Sequence, residues 1–464
     1  MGKKNNANKI TILNIIGTFL LQGIAFLTTP IFTRLLGTSQ FGTYSLFNSW
    51  VLILTCLMGL SIHASVGTGL YTFKERYVSF RNSILLSSSL ICVAEIALVS
   101  LCRHWLSEAT GFSVGIVIII AVTAFAHYVV NFAQGCFIYE KKAGRNLILS
   151  VSLSIISVLL SIYLIYKFPA DTRYLGRVYG TVITYLVVAI VVWLMLFLEK
   201  PTGINKEYLK FGIAVGFPIV FHSLSQQVLG QSDRVMMQAF EIPTAQIGIY
   251  SLFYTLSSVL STVLNAFNNS WCPFYYDDVS EEKWDVLNKK SKNYIELFTA
   301  LAVGFLLLSR EVSCLMADES YWTGIKVIPI LTFAVYFIFM YQFPVNFEFF
   351  HKKTKIIALG TIGAGVLNII LNAFLIPVWG MYGAALATAI SYLALFFAHY
   401  FIVTHMRGHK FHLNMTMFIP GLVGMLIGAV FFYVLAPWWY VRWGLGIAMG
   451  FFELYKIYKR KSIF

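Results

Sequence analysis

Charge is withheld from long stretches of this sequence, and that constrains the fold more than any other feature. No Asp, Glu, Lys or Arg occurs in residues 10–33, 35–73, 109–139 or 146–166. The pattern continues through 178–198, 211–232, 242–276, 327–347, 356–406 and 411–441. One membrane-crossing helix needs ~20 apolar residues, so the longest stretches must hold two helices each. Their break points carry turn chemistry, at Gly37–Gly42, Pro377–Gly380 and Ala436–Trp439. Division there predicts fourteen spans, starting near residues 11, 43, 83, 113, 147, 174, 211, 245, 294, 325, 356, 381, 415 and 438. Only 12% of the 464 residues are charged and 58% are hydrophobic, against ~25% charged in soluble domains. A water-soluble enzyme, a disordered chain and a disulfide scaffold are excluded, leaving an all-α polytopic membrane protein.

The charges that remain fix an orientation. Most of the 34 Lys and Arg fall in alternate turns, such as Lys3-Lys4, Lys74–Arg81, Lys141–Arg145, Lys283–Lys292, Lys352–Lys355 and Lys456–Lys461. Arg34, Arg103, Arg173, Arg177, Arg234, Arg310 and Arg442 lie at the opposite ends. By the positive-inside rule both termini lie in the cytoplasm. The net charge of +14 is therefore a topology signal and an attraction to anionic headgroups, with no patch suited to nucleic acid. No cleavable signal peptide is evident. The six cysteines lack CxxC spacing and read as small buried hydrophobes. Residues 275–294 form the one sizeable loop, charged and cytoplasmic.

Self-similarity is the next constraint. Gln40-Phe41-Gly42-Thr43-Tyr44-Ser45-Leu46-Phe47 matches Gln246-Ile247-Gly248-Ile249-Tyr250-Ser251-Leu252-Phe253. At nearly the same spacing, Gly180-Thr181-Val182-Ile183-Thr184-Tyr185-Leu186 matches Ala387-Thr388-Ala389-Ile390-Ser391-Tyr392-Leu393. Between them, Glu140-Lys141-Lys142 matches His351-Lys352-Lys353. The expected organisation is a six-helix bundle at 1–199, its parallel repeat at 200–406, and two extra helices with a basic tail at 407–464. Such duplications place a cavity between the bundles. In the extra hairpin, Gly424xxxGly428 and Gly446xxxGly450 suit close helix packing.

A family resemblance now becomes specific. Asn368-x-x-Leu371-Asn372-x-x-Leu375-Ile376-Pro377 is followed by Gly380-x-Tyr382-Gly383-Ala384-Ala385-x-Ala387-Thr388. This resembles the eleventh and twelfth helices of Wzx-type bacterial polysaccharide flippases, in the MOP superfamily of exporters. Phe32-Thr33-Arg34-Leu35-Leu36-Gly37 with Phe41-Gly42-x-Tyr44-Ser45 is similar to that family's first helix junction. Asp233-Arg234, Gly248-x-Tyr250-Ser251 and Asn269-Ser270-Trp271-x-Pro273-Phe274-Tyr275 resemble the start of its second half. The resemblance implies translocation of undecaprenyl-pyrophosphate-linked oligosaccharide repeat units to the outer leaflet of the bacterial cytoplasmic membrane. Glycosyltransferases and a polysaccharide polymerase would then act before and after it, in capsule, exopolysaccharide or O-antigen assembly.

Such cargo needs cations for the pyrophosphate and amides or aromatics for the sugar. Ionisable groups at membrane depth are costly and usually face a cavity. The charged candidates are Arg34, Glu95, Asp233 and Arg234; arginine suits phosphate oxygens. Snorkelling at the interface is the competing use of Arg34, and interhelical pairing that of Asp233. Glu95 serves either as a coupling carboxylate or as a group hydrogen-bonded within its bundle. The amide candidates are Gln22, Asn48, Gln226, Gln227, Asn268, Asn269, Asn368 and Asn372, with Asn131, Gln134, Asn265 and Asn346 beside them. Interhelical hydrogen bonding is the ordinary use of such residues. Pro30 and Pro218 interrupt the first helix of each half, as packing kinks or bending points.

Other patterns dissolve. Gly37-x-x-x-x-Gly42-Thr43 lacks the lysine and the preceding strand of a phosphate loop. No ATP chemistry or bound cofactor is expected, which leaves a proton or sodium gradient, or substrate flux, as the driving force. His405, His409 and His412 lie in a basic turn rather than at metal-ligand spacing, and His104 with Glu108 has no nucleophile to serve. The competing readings are an exporter of another cargo, multidrug or lipid II, and a membrane polymerase, for which the outer loops are too short.

Overall fold

The computed structural model describes residues 2–406 and 411–463, without the side chains of residues 2–16, 18, 19 and 22. Arg407, His409 and Lys410 of the basic turn lie outside the described residues. Every regular element described is helical, because a backbone in hydrocarbon must satisfy its own polar groups. Among the described residues, ten segments are long and apolar enough to cross a membrane. Two of them, Gly23–Leu101 and Thr354–Thr404, each contain more than one of the crossings expected from sequence. The chain divides into two compact units, Met1–Gly248 and Ile249–Phe464.

The first unit contains α1 (Gly2–Leu57), α2 (Ser65–Phe73), α3 (Tyr77–Leu101), the short α4 (Arg103–Thr110), α5 (Val114–Tyr139), α6 (Ala143–Ile165), α7 (Arg173–Leu198) and α8 (Lys206–Ala239). Helix α1 breaks at Gly37, whose φ of 65° favours a residue without a Cβ. A second break was not expected from sequence. Gly59, Leu60 and Ser61 take φ values of 57°, 49° and 52°, a left-handed stretch between α1 and α2. Helix α8 lies directly against it: a Cβ on Gly216 would come 2.6 Å from the Ile62 backbone. Phe73, Phe80, Tyr208 and Phe211 form an aromatic core nearby, with ring centroids 4.5–5.7 Å apart.

Arg81, read from sequence as a topology charge, is only 1% exposed. Its guanidinium donates to Glu140 at 3.0 Å, Glu199 at 2.8 Å and the Leu196 carbonyl at 3.1 Å. Adjacent Asn82 donates to the carbonyls of Phe197 and Lys200. One end of the unit is thus tied together by charge-assisted bonds rather than apolar packing alone.

The second unit holds most of α9 (Thr244–Ser280), then α10 (Trp284–Met316), α11 (Ile328–Phe350), α12 (Thr354–Thr404), α13 (Phe418–Val434) and α14 (Trp439–Arg460). Trp271, Tyr294, Phe339 and Phe343 pack at its core. Helix α12 breaks at Gly380, with φ 53°, where Pro377–Gly380 predicted a turn. The sizeable loop expected at residues 275–294 is instead two helix ends: α9 runs to Ser280 and α10 starts at Trp284. Charged residues continue these helices beyond the apolar stretch, and Lys290 pairs with Asp278 at 2.6 Å across the turn.

Helices α13 and α14 both pack against α10. Added Cβ atoms at Gly424 and Gly428 would lie 3.4 Å from Thr299 and 3.1 Å from Val303. The small-residue motif is therefore used for packing, on α10. Gly450 meets nothing within 4 Å. Arg442, fully buried, anchors α14 to Glu311 and to the Leu307 carbonyl of α10.

The sequence repeat has local counterparts. A Cβ on Gly176 would fall 2.6 Å from the Ile165 backbone, and one on the matching Gly383 would fall 2.2 Å from the Leu375 carbonyl oxygen. Gly42 and Gly248 form a reciprocal crossing. A Cβ on Gly42 would meet the Thr244 carbonyl at 2.0 Å, and one on Gly248 the Thr38 carbonyl at 2.0 Å. Of the cysteines, Cys92 and Cys136 are buried as expected, whereas Cys102 is exposed beside α4.

Candidate functional site

Arg234 is the best-defined cation among the residues singled out from sequence. It is 5% exposed on α8, about one turn from that helix's end and beyond its charge-free stretch, residues 211–232. Its Nη1 donates to the Gly230 carbonyl at 3.0 Å and to Gln231 Oε1 at 3.1 Å. That same oxygen accepts from the Ser49 hydroxyl at 2.9 Å, so Arg234, Gln231 and Ser49 link α8 to the second half of α1. Asn48, half-buried, is adjacent to Ser49 in sequence. Asp233 precedes Arg234 and is fully buried; successive residues on a helix point in different directions. One turn or two below, Gln227 is half-buried and Gln226 exposed.

Glu95 is placed elsewhere in the same unit. Its Oε2 accepts from the Gly59 backbone N–H at 2.9 Å, at the left-handed break. Gly59 follows Ser49 by about 15 Å at 1.5 Å per residue. The carboxylate therefore supplies an acceptor that the broken helix lacks, the within-bundle hydrogen bond weighed from sequence. Arg34 is exposed on α1, one turn before the Gly37 break. Gln22 is described in backbone only. Gln134 bonds Ser150 across α5 and α6 at 2.8 Å, while Asn131 is exposed.

In the second unit Asn268 accepts from Asn346 at 3.0 Å, joining α9 to α11. Asn265 and Asn269 are exposed. Asn368 and Asn372, both fully buried, bond each other at 3.0 Å. Asn368 Nδ2 also reaches Thr388 at 3.4 Å, across the two halves of α12. Their one-turn spacing predicted a common face, and the structure has it. His104 and Glu108 are exposed on α4, His405 caps the end of α12, and His412 meets Trp284.

Two groups escaped the sequence reading. Arg177, classed as an outer-end charge, has its guanidinium carbon 3.8 Å from the Phe32 ring centroid and 5.0 Å from that of Tyr44. It also donates to Ser161 at 3.0 Å. Spacing could not reveal this, because the aromatic partners lie on another helix. The second is a wholly buried acid–imidazole pair, Glu348 and His399. Glu348 falls just past the charge-free stretch that ends at residue 347, and histidine does not interrupt such a stretch.

An all-helical fold with segments long and apolar enough to cross a membrane and buried arginine and amide clusters defines a polytopic membrane protein. Residues 8–276, more than half of the chain, match the family described as polysaccharide biosynthesis protein; the chain belongs to that family. A Haemophilus influenzae protein of the Lsg locus is 20% identical over 362 residues, covering 75% of this chain and 86% of its own. A structure of the lipid II flippase MurJ, inward closed, superposes with TM-score 0.73 at 15% identity, over 97% of this chain and 99% of that one. An inward-facing multidrug resistance MATE transporter of the MOP superfamily gives TM-score 0.63 at 14% identity, over 90% and 96%. The chain thus shares the fold of these two proteins, in agreement with the Wzx-type resemblance of its motifs.

Proposed function

We propose that this protein flips undecaprenyl-pyrophosphate-linked oligosaccharide repeat units from the cytoplasmic to the outer leaflet by alternating access. The family match over residues 8–276 carries this reading, because it ties a transporter fold to polysaccharide biosynthesis. Relatives of similar fold are named as a lipid II flippase and a multidrug transporter, and the family membership favours the sugar-bearing lipid over a drug. In this reading the protein sits in the bacterial cytoplasmic membrane with both termini inside, and residues 1–199 and 200–406 are the two repeats.

The chemistry follows from what each part of the cargo requires. The polyprenyl tail stays in hydrocarbon, whereas the pyrophosphate and sugars cannot cross it without polar partners. Arg234 and Arg34 are assigned to the pyrophosphate, with Gln231 holding the first and Asp233 facing a different partner. Asn48, Gln22, Gln226 and Gln227 are assigned to sugar hydroxyls, and Asn268 and Asn269 to the second repeat's share of polar contacts; Asn368 and Asn372, wholly buried and bonded to each other, are assigned to joining the two halves of α12. Glycosyltransferases supply the substrate and a polymerase consumes the product. A deletion strain tests this: surface polysaccharide should disappear while lipid-linked repeat units accumulate on the cytoplasmic face. Normal polysaccharide together with new sensitivity to cationic dyes would contradict it.

A further inference from the structure

Glu348 near the end of α11 and His399 near the end of α12 are both 0% exposed. His399 Nδ1 lies 2.7 Å from Glu348 Oε2. The remaining polar atom of each group, Glu348 Oε1 and His399 Nε2, is buried without a hydrogen-bond partner. Gly360, in the first half of α12, makes the seat for the imidazole: a Cβ there would lie 2.3 Å from Nε2. Tyr341 closes the other side, its ring meeting the imidazole edge-on with centroids 5.2 Å apart.

A pair serving only to join two helices has no need of two orphaned polar atoms. Each such atom forfeits about 1–3 kcal/mol of hydration, and buried polar groups are otherwise nearly always satisfied. Among the described residues, the surrounding elements place no charged side chain in an ion pair with Glu348 besides His399; His351 packs on Phe347 and Phe350, and Arg310 and Glu311 lie near the far end of α10, where Glu311 pairs with Arg442. Helix α13 carries no charged residue. On α10, Lys290 pairs with Asp278 and Glu296 with Lys456 and Arg460, while Asp285, Lys289 and Lys292 stand at its first turns. Glu319 and Lys326 belong to the opposite end of α11. His412 packs against Trp284, and Lys352, Lys353 and Lys355 are exposed in the turn between α11 and α12.

We propose that Glu348 and His399 form a proton-binding site, and that the proton they carry is the ion coupled to transport. With the proton on the Glu348 carboxyl and donated to Nδ1 of a neutral His399 the pair is neutral overall, the form suited to a dry, closed packing. Loss of that proton to water leaves a carboxylate beside a neutral imidazole, with a net charge of −1. An uncompensated charge is too costly to keep dry, so the ends of α11 and α12 must part and admit water, which also reaches Oε1 and Nε2. Reprotonation reverses the step. Proton binding thereby selects the closed form of this end of the second unit.

This deepens the flippase reading and rests on it only for the word transport; the site itself is measurable without cargo. The test is a pH-difference infrared spectrum of the purified full-length protein in nanodiscs, with proton uptake counted in the same preparation. Wild type should show a protonated-carboxyl band that vanishes at higher pH, and E348Q should lose both that band and about one proton per chain. H399Q should shift the band, providing a second variant should E348Q fold poorly. Absence of a titrating band in wild type, or its persistence unchanged in both variants, would overturn the proton site while leaving the flippase reading untouched. Loss of the band in E348Q with normal polysaccharide in the deletion strain would sink the flippase reading and keep the proton site.

Discussion

At the scale of single residues, the structure turns a set of scarce charges into distinct jobs. Glu95 accepts the Gly59 N–H at 2.9 Å, a task that an amide oxygen performs as well as a carboxylate. Glu95→Gln should therefore leave thermal stability in detergent nearly unchanged, while Glu95→Ala orphans a backbone donor and should cost about 1–3 kcal/mol. Equal melting for all three forms would contradict that role. Arg234 engages oxygen acceptors through its planar fork, for which lysine is an imperfect substitute. Arg234→Ala should lower polysaccharide export about tenfold, the order of one charge-assisted bond, with Arg234→Lys falling in between; Arg34→Ala should act in the same direction. Glu199 gives a pH signature. The hydrogen bond from Arg81 holds its carboxyl below the usual carboxylate range. Its contribution is complete above the unfolded-state value and fades as pH falls through the lowered folded value. Stability should thus decline on the acid side, and Glu199→Gln should flatten that decline in thermal scans taken across pH.

At the scale of elements, glycines decide where helices meet. Gly42, Gly248, Gly176 and Gly383 each face backbone atoms so closely that an added Cβ would lie 2.0–2.6 Å away. Alanine at any of them should destabilise by more than about 2 kcal/mol, read as reduced folded yield. Gly450→Ala, with nothing within 4 Å, should be neutral or stabilising by up to about 1 kcal/mol through helix propensity. Most of this level was legible in the sequence, because crossing helices leave charge-free stretches and breaks leave glycine. The Gly37 and Gly380 breaks were readable for that reason. The left-handed stretch at 59–61 was not, since Leu60 and Ser61 are poor residues for such a conformation and tertiary contacts, the packing of α8 and the Glu95 bond to the Gly59 N–H among them, hold them there. Likewise, Gly424xxxGly428 announced close packing without naming α10 as the partner. The continuation of α9 and α10 past the apolar region was hidden because charge marks the membrane boundary, not the helix end.

At the scale of the whole molecule, class came from the distribution of charge and family from motifs, and each was confirmed independently. The site was less legible. Spacing found Asn368 and Asn372 on one face and flagged Arg234, but missed Gln231, Arg177 and the Glu348–His399 pair. These depend on side chains from separate helices, and no one-dimensional pattern encodes such a meeting. The central claim is movement of a lipid-linked sugar across the bilayer. Its most direct test is the purified protein in liposomes carrying undecaprenyl-pyrophosphate-linked oligosaccharide, with an impermeant sugar-modifying enzyme added outside. The account predicts that inner-leaflet sugar becomes accessible in protein-containing vesicles, and more slowly with Arg234→Ala. Accessibility equal to that of protein-free vesicles, from a correctly folded wild-type protein under an imposed proton gradient, would contradict it.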